Sequence, residues 1–372
     1  MKIGITGASG LIGFHIRAHV RANRPTYELR AGGRDIFSNP AAMDEFLSDL
    51  DAVFHCAGKN RGDELEVEAT NIALSNLLLN GIQRSGCRPS IIYVNSTHVE
   101  RDTGYGRGKR VAGEALLSRG KHLGCRVSNF IFPNVYGEFG RPFHNSVVST
   151  FCHQLSVGET PRVLVDAELE LLHAQDVAAK MLGWLEGAEF DGAAGSYRMT
   201  GNSMKVSSLL NVLQGLHKAY AGGVVPDLRT PFVRGLFNTL RSYLFEQCRM
   251  VQLNQHTDER GALFEALRCE SGGQSFVSST RTGGVRGNHY HLGKFERFLV
   301  VQGEAEILLR RIFSENLVTL RVSGVVPSVV DIPTFHAHAI RNTGPTELTT
   351  IFWTNEFFDP KNSDTYRELV TR

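Results

Sequence analysis

The chain has 372 residues, of which 42% are hydrophobic, 21% charged and 9% aromatic. That excludes a disordered chain and a membrane bundle, and at roughly 150 residues per domain the length predicts two domains. Forty Lys and Arg against 38 Asp and Glu give a formal charge of +2, too mild to imply nucleic acid as a partner. No window offers the roughly 18 consecutive apolar residues of a membrane span. A glycine motif close to Met1 leaves no room for a signal peptide, so a cytoplasmic protein without membrane insertion is expected. The six cysteines form no C-x-x-C pair and read as free thiols in a reducing compartment.

Taken in chain order, residues 2–6 predict a buried strand and residues 11–20 a helix. Residues 52–56, 90–95 and 126–132 are further strand candidates, with helical spacing over 71–84 and 108–118 between them. Strands alternating with helices imply βαβ units and a parallel sheet. Residues 230–245 read as a helix expected to lie between two domains. From about residue 262 the segments shorten and become β-rich: 274–279, 298–301, 305–311, 317–322, 329–332 and 348–353. Gly, Asn and Pro separate them, the pattern of an antiparallel sandwich or jelly roll. The expected division is 1–243 and 244–372.

The first strand runs into Gly7, Ala8, Ser9, Gly10, Leu11, Ile12 and Gly13, a G-x-x-G-x-x-G run that opens the first helix. Gly7 permits the tight turn, Gly10 lets backbone N–H groups approach a pyrophosphate, and Gly13 allows helix and sheet to meet closely. The second strand ends near Arg34 and Asp35. An arginine there suits a 2′-phosphate, so NADPH is favoured over NADH. Ala57 and Gly58 follow the third strand and are small enough for backbone to pass the cofactor.

Ser96 and Thr97 close another strand, and Tyr105 and Lys109 follow at helical spacing on one face. A lysine near a tyrosine is expected to lower the phenol pKa and to hold the nicotinamide ribose. A hydroxyl at Thr97 is placed to share the substrate oxygen. The trio suits hydride transfer to a ketone, with Tyr105 giving the proton. TGASGLIG, HCAG, NST and Y-x-x-x-K together resemble the extended short-chain dehydrogenase/reductase family over residues 1 to about 240. The resemblance implies a Rossmann-like α/β fold and a nucleotide-sugar substrate. It continues in Pro133–Gly137 and in residues 173–178, and implies substrate contacts at Asn134, Asn145 and Arg162. His98 and Val99 stand where dehydratases of the family carry acid–base residues, which favours a simple reductase.

The C-terminal half carries G-x5-H-x-H-x4-E-x6-G, from Gly283 through His289, His291 and Glu296 to Gly303. Alternation along a strand brings His289 and His291 to one face. His338, with Asn342 four residues on, completes a three-histidine, one-carboxylate set for a divalent metal. Zinc is the expected ion because the proposed chemistry needs no redox change. These motifs resemble the cupin superfamily, implying an all-β jelly-roll barrel, although Phe335 stands where the second motif has glycine.

A reductase followed by a cupin resembles bifunctional capsular-polysaccharide and O-antigen enzymes of the UDP-N-acetyl-L-fucosamine route. Further likeness lies in residues 258–261, in Gly287 to His289 with Lys294, and in residues 353–360. The resemblance implies C3 epimerisation of a UDP-linked 4-keto amino sugar by the cupin and C4 reduction by the first domain. Lys294, Tyr290 and His336 are the candidate bases. A homodimer is expected, since cupin barrels pair through strand edges. Two rival readings stand beside this one: a reductase of another nucleotide 4-keto sugar with a non-catalytic cupin, and an NADP-binding regulator.

Overall fold

A computed structural model of the protein describes residues 1–371. Its contacts divide the chain into two compact units, Met1–Thr150 with Val163–Ser208, and Phe151–Arg162 with Leu209–Arg372.

The first unit opens with β1 (Lys2–Thr6), α1 (Leu11–Asn23), β2 (Glu28–Gly32), α2 (Pro40–Leu47), β3 (Ala52–His55) and α3 (Glu64–Ser85). It continues through β4 (Ser90–Ser96), α4 (Gly104–His122), β5 (Val127–Phe132), β6 (Asn134–Tyr136), the start of α5 (Val147–Ser156, which passes into the second unit after Thr150), β7 (Glu168–His173), α6 (Ala174–Leu185), β8 (Gly195–Arg198) and β9 (Asn202–Lys205). Six strands form one parallel sheet in the order β2-β1-β3-β4-β5-β8. Every residue of β3 is buried, because helices cover both faces. Ile16, Val20, Val177, Met181 and Trp184 fill one side of the sheet, and Phe46, Leu47, Leu78, Leu79, Ile82 and Leu116 the other. Helix α4 starts where Thr103 Oγ1 accepts the Gly106 N–H at 3.1 Å. The order of strands reverses between β1 and β3, which opens a crevice at their C-terminal ends.

The second unit begins with α7 (Val206–Ala221, most of which belongs here), β10 (Val224–Val225) and α8 (Pro231–Leu244). Short strands follow: β11 (Val251–Gln252), β12 (Gln255–Asp258), β13 (Gly261–Phe264) and β14 (Arg268–Cys269). The barrel strands are β15 (Gln274–Thr280), β16 (Val285–Tyr290), β17 (Glu296–Gln302), β18 (Glu304–Arg311), β19 (Leu317–Ser323), β20 (Ser328–Ile332), β21 (His336–Asn342), β22 (Leu348–Thr354) and β23 (Tyr366–Arg367). Two five-stranded antiparallel sheets result, β11-β20-β17-β22-β15 and β19-β18-β21-β16-β23. Phe298, Val300, Ile307, Leu309, Val330, Ile340 and Leu348 form the core of this cupin-like unit.

Helix α8 differs from the sequence expectation. It groups with the β-rich unit instead of lying between domains, and the whole segment from Leu209 goes with it, so the grouping does not follow the expected division at 243 and 244. The reason is its apolar face: Leu236, Phe237, Leu240 and Leu244 are buried, and the Phe237 ring lies 5.9 Å from that of Phe295. Burying four such side chains is worth far more than a solvated connector.

Candidate active sites

In the first unit the chain turns at Gly7 with φ of +65°, and Gly10 N–H closes the turn on Gly7 O at 3.0 Å. A Cβ at Gly13 would lie 2.4 Å from Gly7 O, so only glycine lets α1 start this close to the loop. Thr6 anchors the arrangement: its hydroxyl meets His55 Nδ1 at 2.8 Å and accepts the Ala57 N–H at 3.2 Å.

A cleft of about 540 Å³ lies over the ends of these strands. Gly7, Ser9, Gly10, Leu11, Ile12 and Gly13 form one wall, with Cys56 and Gly58 beside them. Ser96, Thr97, Tyr105 and Lys109 line the floor, and Asn134 and Asn145 the far side. Arg34 and Ala57 are outside the lining. Arg34 is exposed just after β2, whose Gly32 carbonyl accepts the Ala8 N–H at 3.3 Å. Arg162 is exposed and belongs to the second unit, outside the lining. Among the described residues no carboxylate lines the cleft, while Arg141, His144 and Lys109 do. Such a surface favours polyanionic ligands.

Tyr105 and Lys109 share one face of α4, and Tyr105 shares a hydrogen bond with Ser96. The expected lowering of the phenol is absent. Burial pushes Tyr105 up to about 12, and the Ser96 bond offsets only part of that. Lys109 is not among the groups that shift it, and burial holds the amine itself down to about 7. Its Nζ donates to Val94 O at 2.5 Å and lies 4.0 Å from the Tyr93 ring centroid. The site therefore offers a phenol that is protonated at neutral pH, the form a proton donor needs.

A buried cluster behind the cleft has no counterpart in the sequence expectations. Glu138 Oε2 lies 3.1 Å from His15 Nε2 and 3.2 Å from His173 Nε2, with Glu138 and the His15 side chain fully buried. His15 Nδ1 donates to Leu11 O at 2.8 Å. Burial raises Glu138, yet the two histidines prevail and hold it down to about 2. This cluster ties the start of α1 to the loop after β6. Only Glu138 in the run PNVYGE marks it in sequence.

In the second unit, His289, His291, Glu296 and His338 each offer a ligand atom, all within 4.8 Å of one another. A bulge makes this possible. The β16–β21 register shifts between Gly287 and His289, and Asn288 sits at φ of +58°, which sets His289 opposite His338. Gly287 has φ of +99°, and a Cβ there would fall 2.7 Å from His338 O. The imidazole tautomers follow from the hydrogen bonds. His291 Nδ1–H donates to Asp364 O at 2.5 Å and His338 Nδ1–H to His336 O at 3.2 Å. Their Nε2 atoms thus carry lone pairs, buried and with no hydrogen-bond partner. Both point at Glu296 Oε2, from 3.0 and 3.2 Å. Lone pairs facing a carboxylate oxygen repel one another unless a proton or a metal ion stands between them, and with His289 beside them the four side chains have the donor set of a divalent metal site. Burial holds His289 down to about 3, in the neutral form a metal requires.

Lys294 Nζ lies 3.9 Å from Glu296 Oε1. The two other candidate bases lie outside the four-ligand set. His336 donates to Thr334 O from Nδ1, and its ring lies 5.0 Å from that of Phe245. Tyr290 is buried with its ring 5.4 Å from that of Tyr366.

Residues 3–197 match the NAD dependent epimerase/dehydratase family, and residues 256–366 the polysaccharide biosynthesis C-terminal domain. The chain belongs to the NAD-dependent epimerase/dehydratase family. A UDP-2-acetamido-2,6-beta-L-arabino-hexul-4-ose reductase of Pseudomonas aeruginosa is 30% identical over 369 residues, 98% of each chain. The capsular polysaccharide assembling protein CapF of Staphylococcus aureus is 28% identical, with a TM-score of 0.63 over 99% of this chain and all of that one. RMD of Pseudomonas aeruginosa, solved with NADPH, shares the fold at 19% identity and a TM-score of 0.56, over 66% of this chain and 98% of that one. Among the described residues no helix is long and apolar enough to cross a membrane.

Proposed function

We propose that this family member reduces the C4 ketone of a UDP-linked 2-acetamido-2,6-dideoxy sugar with NADPH, and that its cupin-like unit first epimerises C3. The observation that carries this is the presence of both sites in one chain that matches the reductase relative end to end. NADPH supplies the hydride. Gly7 to Gly13 receive its pyrophosphate at the N-terminus of α1, and Arg34 its 2′-phosphate. Thr97 and Ser96 orient the ketone oxygen, and Tyr105 donates the proton that oxygen takes up as negative charge develops on it. Lys109 holds the nicotinamide ribose. Asn134 and Asn145 are assigned to the nucleotide sugar.

His289, His291, Glu296 and His338 would hold a zinc ion. That ion supplies positive charge that makes the hydrogen beside a ketone more acidic. Lys294 is the residue proposed to carry the C3 proton, since its Nζ lies 3.9 Å from Glu296 Oε1. The chain is further proposed to work as a homodimer in the cytoplasm. Edge strand β15 pairs on one side only and exposes Phe276 and Val277, one toward each face of the sheet, an edge that a second copy would cover.

The test is turnover of the 4-keto sugar with NADPH in deuterated water, with the product read by NMR. Wild type is expected to oxidise NADPH and to place deuterium at C3. Tyr105→Phe is expected to retain exchange and to lose reduction by about 10²–10⁴-fold. His338→Ala is expected to abolish exchange. Reduction without exchange in wild type would leave the cupin-like unit without a catalytic role, and no oxidation at all would remove the reductase reading.

A further inference from the structure

Between β16 and β17 lies the loop from His291 to Phe295, which carries one metal-site histidine and leads directly to Glu296. No strand ladder fixes it. The Phe335 N–H donates to His291 O and Asn238 Nδ2 to Gly293 O, at 2.8 and 2.9 Å, and Asn355 Oδ1 accepts the Phe295 N–H at 2.8 Å, while three residues some 70 positions further along the chain hold its centre. Asp364 O accepts His291 Nδ1–H at 2.5 Å. Its carboxylate accepts three successive backbone N–H groups: Leu292 on Oδ1 at 3.0 Å, then Gly293 and Lys294 on Oδ2 at 2.8 and 2.7 Å. Lys294 Nζ donates to Ser363 O and Thr365 Oγ1, both at 3.0 Å. Asp364 itself sits at φ of +42°, a region a non-glycine residue holds only when its surroundings compel it.

We infer that Asp364 is the positioning residue of the four-ligand site: it presets the His291 tautomer and the path of the loop, so that the donors stand in place before metal arrives. The inference rests on the proposal that the cluster holds a divalent metal. One residue does both tasks. Its carbonyl keeps the proton on Nδ1 and so leaves Nε2 as the donor atom, while its carboxylate binds the loop as an anion bound by consecutive amides. A conventional orienting group touches the ligand alone; this one holds the ligand and the backbone that carries it.

The test uses the full chain, stripped of metal and titrated with Zn²⁺ against a chromophoric chelator, with Co²⁺ as a spectroscopic stand-in. Wild type is expected to bind one equivalent. In Asp364→Asn the amide keeps an oxygen on Gly293 and Lys294 and turns its NH2 toward the Leu292 N–H, so affinity is expected to fall about 10-fold. In Asp364→Ala all three carboxylate bonds are lost, and the expected fall is about 100-fold, with an altered Co²⁺ spectrum. NADPH binding and the melting of the metal-free protein are expected to stay near wild type. If Asp364→Ala fails to fold, Asp364→Asn carries the test. Wild-type Zn²⁺ affinity and Co²⁺ spectra in the Asp364 variants would overturn the inference alone. So would a loss of affinity matched by an equal loss of metal-free stability. If wild type takes up no metal that His338→Ala loses, the metal reading itself fails and the inference goes with it.

Discussion

Lys109 makes a prediction that runs against its place in the catalytic machinery: replacing it stabilises the first unit. The amine is buried without a carboxylate partner, and burial lowers it from 10.5 to about 7. A shift of that size corresponds to roughly 5 kcal/mol between its protonation states. The folded pKa lies below the unfolded one, so between roughly pH 7 and 10 the unfolded chain binds more protons and stability rises with pH. At pH 7 nearly the whole penalty is present. Lys109→Met keeps the aliphatic stem and removes the penalty, but loses the bond to Val94 O, worth about 1 kcal/mol. The expected net gain at pH 7 is about 3 kcal/mol, shrinking by about 1.4 kcal/mol per unit as pH rises and reversing near about pH 9. The two tryptophans make this measurable, because Trp184 is in the first unit and Trp353 in the second. In a Trp353→Phe background, urea unfolding followed by Trp184 fluorescence reports the first unit alone. A variant less stable than wild type at pH 7, or a difference that does not move with pH, would refute the reasoning. The same variant is expected to lose reduction.

Gly13→Ala is expected to weaken NADPH binding about 5- to 150-fold, the effect of roughly 1–3 kcal/mol of overpacking, because its Cβ would stand 2.4 Å from Gly7 O; nucleotide fluorescence titration with wild-type affinity would show that the loop has room. Light scattering is expected to give twice the chain mass of 41.1 kDa, and Val277→Asp on the β15 edge to return it to one chain; a monomeric wild type would sink the proposed dimer.

The sequence reads best where one residue type answers one local demand. Lys2–Thr6 is a strand as expected, with Ile3 and Ile5 fully buried within a parallel sheet. The glycine run is legible because no other side chain fits its turn. The lining of the cleft by Ser96, Thr97, Tyr105 and Lys109 follows from their chain order at the ends of β4 and the start of α4. What sequence does not carry is the balance of burial against charge. Spacing put a lysine near a phenol, but only three dimensions show the lysine buried, the phenol half-buried, and the lysine shifted more than the phenol it was to tune. The Asn288 bulge is equally invisible, since a one-residue slip leaves no periodic trace and yet decides which histidine faces inward. Asp364 is missed for a third reason: its partners lie some 70 residues away, and a carboxylate near the end of a chain carries no signal of its own.

The two sites ask opposite things of buried polar groups, and under the proposed function the order of reaction follows from the substrate. A C3 hydrogen is acidic only while C4 is a ketone. Once hydride has arrived and Tyr105 has given its proton, that activation is gone and the configuration at C3 is fixed. Epimerisation must therefore come first, and the reductase site decides which epimer leaves the equilibrium. The chain's chemistry is divided accordingly. The cleft has no carboxylate among its described lining and a phenol that stays protonated, which suits a polyanionic dinucleotide and a single irreversible proton donation. The cupin-like unit keeps its one site carboxylate among three imidazoles, and holds Lys294 beside the cluster by bonds to Ser363 and Thr365. A carboxylate moved into the cleft would repel the diphosphates, and a lysine moved into the ligand set would take the place of the metal. Neither site can do the other's work, which is the physical reason for two sites.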